Sequence, residues 1–500
     1  MGTVRKQSII STLIIYIGFL IGFVNVYFFT RQGTFTEGEY GLTVIFMAIG
    51  SFMFAFSNMG MTSVVYKFSP YYRGHLTTAK NDILTWALLV CIAGFAVVVG
   101  GAFLFKDLVI RKFQGNSPLL VEYYYWIIPF GFGLMLFSLL EAYAWSIHKS
   151  IVTNLLRETV FKLLTTVLIV LFIAGIIPSF DLFIKFYSFF FVLIAIALAI
   201  HLHAIGQLPL YFGVSKVTRR FRKKMATLAA FVYTGILILV SAQYIDSIII
   251  AALKGQSALE VFALGALIAS IVQVPQRSIV SATVGVLSES WKAKDFVTIE
   301  RLYKRSSVNL LLAGLALFCI IWLNFTDAVT TIGLKEKYLD AQWIFFLLGI
   351  AKLIDLGTGV NGQIISTSTY WRFEFISGAL LLLLMVPLNY FLVKSIGITG
   401  AGISSIISFS IYNGIRIFFL YRKFQLQPFS VHTPLAIIIA GVCYWITWYL
   451  FKDSSGWVAL ILRSMVFFIL FGALVFRLEL TPDVMQLYHN LKHRLARRKR

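Results

Sequence analysis

Gln273, Gln276 and Arg277, with Pro275 among them, interrupt a long apolar run over 261–290, and Gln243 and Asp246 interrupt the run before it, 228–253. The runs meet at Lys254-Gly255-Gln256 and so predict a helical hairpin with polar groups at mid-depth. An ionised side chain at the centre of a membrane helix costs roughly 2.5–3.5 kcal/mol on insertion scales, so it normally faces water or a partner. Proline beside the arginine frees a backbone carbonyl, which is tolerable at that depth only where protein or cavity water satisfies it. The hairpin therefore reads as one wall of a transport pathway.

Lys352 and Asp355 lie in another apolar run at a spacing of three, which puts them on one helical face where they can neutralise each other. A buried ion pair that only fixes packing competes with a functional reading there. At helical rise Asp246 and Arg277 differ in depth by roughly 14 Å, too far for a direct pair, whereas Gln243 and Gln273 are closer to level. Asn58 lies at the same depth as Arg277, about 24 Å from the outer end of its own helix. Glu141 is expected close to the cytoplasmic edge, where a charge is cheap, and Glu158 and Lys162 form an i, i+4 pair. Lys185, Arg416 and Arg463 sit near predicted helix ends and can snorkel to water, as can Arg31, which ends the first helix beside the outer opening.

Bond-making chemistry finds no foothold in these patterns. His201 and His203 point to different helical faces and have no third ligand at metal spacing. The chain has no GxxxxGK[ST], HExxH or GxSxG, so the usual markers of ATP-driven transport and of common hydrolases are missing. The predicted outer loops hold no acidic cluster for the Mg²⁺ of a sugar nucleotide or prenyl diphosphate. Transport would then draw on an ion gradient, the membrane potential or consumption of the product. Cys91, Cys319 and Cys443 fall singly inside apolar runs and read as packing residues.

The elements that must hold these residues follow from composition. The 500 residues are 59% hydrophobic and 13% charged, with mean hydropathy +0.86, which excludes a soluble globular protein. Runs of about 20 residues, enough for a ~30 Å hydrocarbon core, number about fourteen. They lie near 9–30, 42–65, 83–105, 120–146, 157–177, 184–205, 228–253, 261–290, 306–325, 341–365, 374–394, 399–420, 433–451 and 457–478. The predicted fold class is thus an all-α polytopic membrane protein, and the N-terminal run is a retained helix, being too long for a signal h-region.

Lys and Arg in the N-terminus, alternate loops and tail number roughly 27 against roughly 9 on the other side, which places both termini in the cytoplasm. The net charge of +22 is explained by that orientation signal, so no nucleic-acid partner is expected, although anionic membrane lipids would be attracted. The basic loop 206–227 splits off the first six helices. Helices one and two repeat the arrangement of seven and eight, which predicts two six-helix bundles, residues 1–212 and 213–425, related by a pseudo-twofold along the membrane normal. Two more helices and a basic tail fill 426–500, and Leu487, Leu491 and Leu495 form a stripe in the tail.

Glu37-Gly38-Glu39-Tyr40-Gly41-Leu42, then Asn58-Met59-Gly60-Met61, and Gly397-Ile398-Thr399-Gly400-Ala401-Gly402 together resemble motifs of the Wzx-type flippases, the polysaccharide-exporter branch of the multidrug/oligosaccharidyl-lipid/polysaccharide (MOP) superfamily. Asn58 departs from the acidic residue that many relatives carry at its position. The resemblance implies an inner-membrane flippase, not an enzyme, that moves an undecaprenyl-diphosphate-linked oligosaccharide for O-antigen (lipopolysaccharide), capsule or a related glycan, with helices one, two, seven and eight lining an alternately opened cavity. It implies a glycan polymerase and a chain-length regulator as partners, and a monomer, since two joined halves make one pathway. On that reading Arg277, with a forked pair of hydrogen bonds and help from Lys352, holds the diphosphate. Gln273, Gln276 and Asn58 contact sugar hydroxyls, Gln243 and Arg31 complete the cavity set, and no cofactor or metal is required. Asp355 or Asp246 takes up a proton or sodium ion, with Glu141 a further ion-coupling candidate. A lipid II flippase, a drug/cation antiporter of the same superfamily and a membrane glycan polymerase or ligase are the alternative readings.

Overall fold

Helix begins at the second residue and fills most of the chain, as the uninterrupted apolar runs require. The computed structural model describes residues 2–147, 149–208 and 210–481, with side chains from Ile14 onward except at 277–278, 281–282, 284–285 and 371. The tail from Pro482, with its leucine stripe and the Arg494 to Arg500 cluster, lies outside the described residues.

The chain forms two compact units, 1–260 and 261–500. The first contains α1 (Gly2–Thr30), α2 (Glu39–Asn58), α3 (Met61–His75), α4 (Ile83–Leu104) and two short connecting helices, α5 (Lys106–Phe113) and α6 (Pro118–Glu122). It continues through α7 (Ile127–Ser146), α8 (Ser150–Asn154), α9 (Phe161–Ile173), α10 (Phe180–Ser188), α11 (Phe190–Ala204) and α12 (Lys216–Lys254). Helices α2 and α7 form its centre, with 67% and 78% of their spans buried, and α4, α11 and α12 pack around them. Helix α12, assigned from sequence to the second bundle, thus packs on α2 and α3 in the first unit.

One turn of this unit depends on glycine. Met59 and Gly60 both adopt left-handed backbone, ending α2 and starting α3, and a Cβ on Gly60 would lie 2.3 Å from the Ala229 carbonyl oxygen of α12. The Asn58-Met59-Gly60-Met61 segment is therefore a joint against α12, and Asn58 caps α3 by accepting from the Thr62 amide at 3.1 Å.

Helix α13 (Gln256–Ile271) leads into the second unit, which contains α14 (Val274–Ala293), α15 (Phe296–Ile332), α16 (Ala341–Gly357), α17 (Asn361–Thr367), α18 (Trp371–Ile396), α19 (Thr399–Phe424), α20 (His432–Leu450) and α21 (Trp457–Arg477). Pro275 sits in the first turn of α14, where its missing N–H is harmless, and the expected single run 261–290 is broken just before it. Helices α20 and α21 seal an apolar face of α15 through residues such as Leu315, Cys319, Cys443 and Phe467.

Among the described residues, ten helices are long and apolar enough to cross a membrane, eleven if the bent pair 336–357 and 361–367 is one crossing. The expectation from apolar run length is about fourteen. Of the three other runs, 157–177 opens in a π-turn at Leu155–Val160 before α9, 261–290 breaks before Pro275, and α1 is apolar over its described side chains, Ile14–Thr30.

Candidate functional site

The second unit gathers polar side chains from five helices where α16 stops. Gly357 ends α16, Gly359 takes a left-handed conformation with φ of +65°, and α17 leaves at a bend of 47°. Such a break frees backbone carbonyls, and Thr358 meets one of them, its amide and hydroxyl both reaching the Asp355 carbonyl, the latter at 2.7 Å.

Asp355, half-buried in the last turn of α16, is held by amides. Its Oδ2 accepts from Gln273 Nε2 at 3.3 Å and Gln276 Nε2 at 3.2 Å, and its Oδ1 accepts from Asn413 Nδ2 at 3.2 Å. Gln273 caps the break before α14 and Gln276 lies in its first turn, so Pro275 aims both toward α16. Asn413, on α19 and almost fully buried, accepts at Oδ1 from Asn361 Nδ2 at 2.8 Å. The relay ends at Arg416, one turn on from Asn413, which donates to Asn361 Oδ1 at 3.3 Å, to Ser377 Oγ at 3.2 Å and to Glu374 Oε1. Its guanidinium also covers the Tyr412 ring at 3.9 Å. Glu374 Oε2 is buried without a donor among the described residues.

The arrangement separates two kinds of charge. Arg416 is 4% exposed and neutralised by Glu374, which makes it a fixed strut between α18 and α19. Asp355 is held through dipoles, and each of its oxygens can exchange an amide donor for a proton or a cation. Lys352, one turn earlier, lies with Nζ 5.5 Å from the Phe409 ring centroid. Among the described residues no three His, Cys, Asp or Glu side chains come together as a metal site would need.

The sequence-predicted residues divide accordingly. Gln273, Gln276 and Asp355 meet, and Lys352 is on the same helix as Asp355; Arg277 is carried by α14, but its side chain lies outside the described residues. In the first unit Asn58 is fully buried, and its Nδ2 donates to Thr62 Oγ1 at 3.2 Å. Gln243 is exposed and Asp246 half-buried on α12, and Arg31 is exposed past the end of α1, its guanidinium 5.9 Å from the Tyr27 ring centroid. Glu141 is buried and receives Arg157 Nη1 at 2.6 Å. Arg416 and Arg463, expected to snorkel, are buried instead. Arg463 donates to the Leu323 carbonyl at 2.7 Å and pairs with Asp327 at 2.8 Å. The missed signal at Arg416 was Asn413 three residues before it, which marks one polar face in the middle of α19.

Structural comparison gives this geometry a context. A lipid II flippase, MurJ, in an inward closed conformation matches with a TM-score of 0.71 at 13% identity, over 95% of this chain and 100% of that one. The chain has the MOP fold. An inward-facing multidrug resistance MATE transporter of the MOP superfamily matches at 0.61 and 15% identity over 82% of this chain and 96% of its own. A Vibrio cholerae MATE transporter, VcmN, matches at 0.52 and 14% identity over 84% of this chain and 97% of that one. No protein-family model matches the sequence, and no curated protein matches it either.

Proposed function

We propose that this chain is a multi-pass inner-membrane flippase that carries a prenyl-diphosphate-linked saccharide between leaflets by alternating access, acting as a monomer with both termini in the cytoplasm. The observation that carries this reading is coverage. The flippase match extends over 95% of the chain, whereas the MATE matches, themselves almost fully covered, extend over 82% and 84%. That difference favours a lipid-linked cargo over a drug or cation cargo. A lipid II cargo is the second reading, favoured by the name of the flippase that matches, and an O-antigen or capsule repeat unit is the first.

In this proposal Arg277 and Lys352 receive the diphosphate, since a guanidinium offers two parallel donors and an ammonium a compact charge. Gln273 and Gln276 serve both cargo and coupling ion. Their amides are engaged by the Asp355 carboxylate, and a proton or sodium ion on Asp355 competes with them, freeing donors for sugar hydroxyls. Asp246, half-buried on α12, is the second carboxylate proposed for this purpose. Asn58, committed to its cap, is left out of the contact set.

Proteoliposomes loaded with a fluorescent short-prenyl diphosphate N-acetylglucosamine test the proposal. Arg277→Ala is expected to slow flipping by an order of magnitude or more at equal protein content. Flipping by that variant at the wild-type rate would remove Arg277 from the mechanism.

A further inference from the structure

One cavity of the first unit is not used by the function just proposed. It is a cleft of about 710 Å³, within the size range of small-molecule sites, lined by Thr62, Ser63, Tyr66 and Lys67 of α3, Trp145 of α7 and Leu228 of α12. We infer that this cleft is a receiving site for a phosphorylated saccharide, in which Lys67 contacts the phosphate and Trp145 and Tyr66 flank the sugar ring. The inference rests on the flippase reading for the cargo, and adds where that cargo is first held.

Charge is the first argument. Lys67 is exposed and has no acidic partner among the described residues, and α3 contains no Asp or Glu at all. The acidic side chain nearest along α7, Glu141, is engaged by Arg157 at 2.6 Å, and Glu158 by Lys162 at 3.0 Å. Helix α3 runs beside the basic start of α12, with Phe68 and Tyr71 packed on Phe221 and the Tyr72 hydroxyl 2.7 Å from Thr218 Oγ1. Arg219, Arg220, Arg222, Lys223 and Lys224 therefore stand at the same end of the unit as the cleft. A cation without a local counter-charge, set in a concavity beside a basic stretch, attracts an anion.

Shape and side-chain chemistry are the second. The Trp145 indole N–H donates to Thr153 Oγ1 at 2.8 Å, which fixes the ring, while 44% of the residue remains exposed. Tyr66, which lines the same cleft from α3, is 57% exposed. Rigid aromatic faces with one polar edge suit the apolar face of a sugar ring, and the hydroxyls of Thr62 and Ser63 offer hydrogen bonds to its equatorial groups. Aromatics and lysine are ordinary at a membrane interface, but there they stand on convex, lipid-facing surface. Here three helices fold them into one concavity.

The phosphate ester could come from lipid-linked sugar or from an anionic phospholipid, and the sugar-stacking pair separates the two. The experiment titrates full-length protein in zwitterionic nanodiscs with farnesyl diphosphate N-acetylglucosamine, then repeats the titration with phosphatidylglycerol added. Lys67→Ala and Trp145→Leu are each expected to raise Kd at least tenfold at unchanged melting temperature. Lys67→Arg and Trp145→Phe should stay within about threefold, and phosphatidylglycerol should compete weakly. Binding within twofold of wild type by both disruptive variants overturns the inference while leaving the flippase reading standing. Loss in Lys67→Ala alone, with full displacement by phosphatidylglycerol, assigns the cleft to phospholipid and overturns its saccharide role. Absence of binding by the wild-type protein refutes the cargo itself, and the cleft's role with it.

Discussion

Glu260 makes the sharpest quantitative prediction. Its side chain is fully buried, and Oε1 accepts from the amides of Tyr40 at 3.1 Å and Gly41 at 3.2 Å, in the first turn of α2. Nearby, Asn116 donates to the Ala252 carbonyl at 3.0 Å and Ser117 to that of Ala251 at 2.8 Å, which ties the end of α12 to the connection between α5 and α6. A hydrogen bond to a charged acceptor contributes about 1.5–3 kcal/mol, and a carboxylate at a helix N-terminus up to about 2 kcal/mol in a partly buried setting. Burying the carboxylate offsets part of that sum, which leaves about 3 kcal/mol for the contact as a whole. Glu260→Ala should therefore speed hydrogen exchange at the Tyr40 and Gly41 amides by roughly a hundredfold, since about 1.4 kcal/mol corresponds to a factor of ten. Glu260→Gln keeps one acceptor and loses the charge, and should give roughly tenfold. Exchange in the alanine variant at the wild-type rate would refute the reasoning.

Other predictions follow from the same geometry. Arg416→Ala leaves Glu374, about a third exposed, without its cation and removes a buried strut between α18 and α19, and should lower the melting temperature, a loss that Glu374→Gln partly reverses. Asp355→Asn keeps one acceptor oxygen, enough for the two glutamine amides or for Asn413 but not for all three, and should abolish the ion dependence of transport while binding of lipid-linked sugar persists. Gly60→Ala meets both a positive φ and the Ala229 carbonyl, and should lower the melting temperature more than Gly74→Ala, where no atom lies within 4 Å. Asp295, the cap of α15, is held below the ordinary aspartate range by the Thr298 hydroxyl and amide. Its capping contribution is present above about pH 4 and is lost as pH falls through the lowered value, so the Thr298 amide resonance should move only below that range.

How far the sequence could be read depended on whether a residue's partner was local. Apolar run length located the helices, but it overstated their continuity, because it cannot see a π-turn at Leu155–Val160 or the break before Pro275. Gln273, Gln276 and Asp355 stood out because polar side chains inside hydrocarbon demand a partner, but the partners expected were Gln243 and Lys352, and the contact of the glutamines with Asp355, about 80 residues away, was not legible. Arg416 was misread because the apolar run stopped at 420, which made the residue look terminal, whereas α19 continues to Phe424 and α18 supplies Glu374. Glu260 went unnoticed for a related reason: its acceptors' donors, Tyr40 and Gly41, are more than 200 residues away in sequence. Asn58 was placed by depth alone, and only the left-handed backbone at Met59 and Gly60 reveals it as a cap.

The account's central claim, that this fold moves a diphosphate-linked saccharide, is tested most directly by competition in one proteoliposome preparation. Wild-type protein is supplied with labelled prenyl diphosphate N-acetylglucosamine and, separately, with a cationic dye, under an imposed proton or sodium gradient. The account predicts translocation of the lipid-linked sugar, no gradient-driven movement of the dye, and no inhibition of flipping by excess dye. Dye transport without lipid flipping would contradict it and assign the chain to cation export.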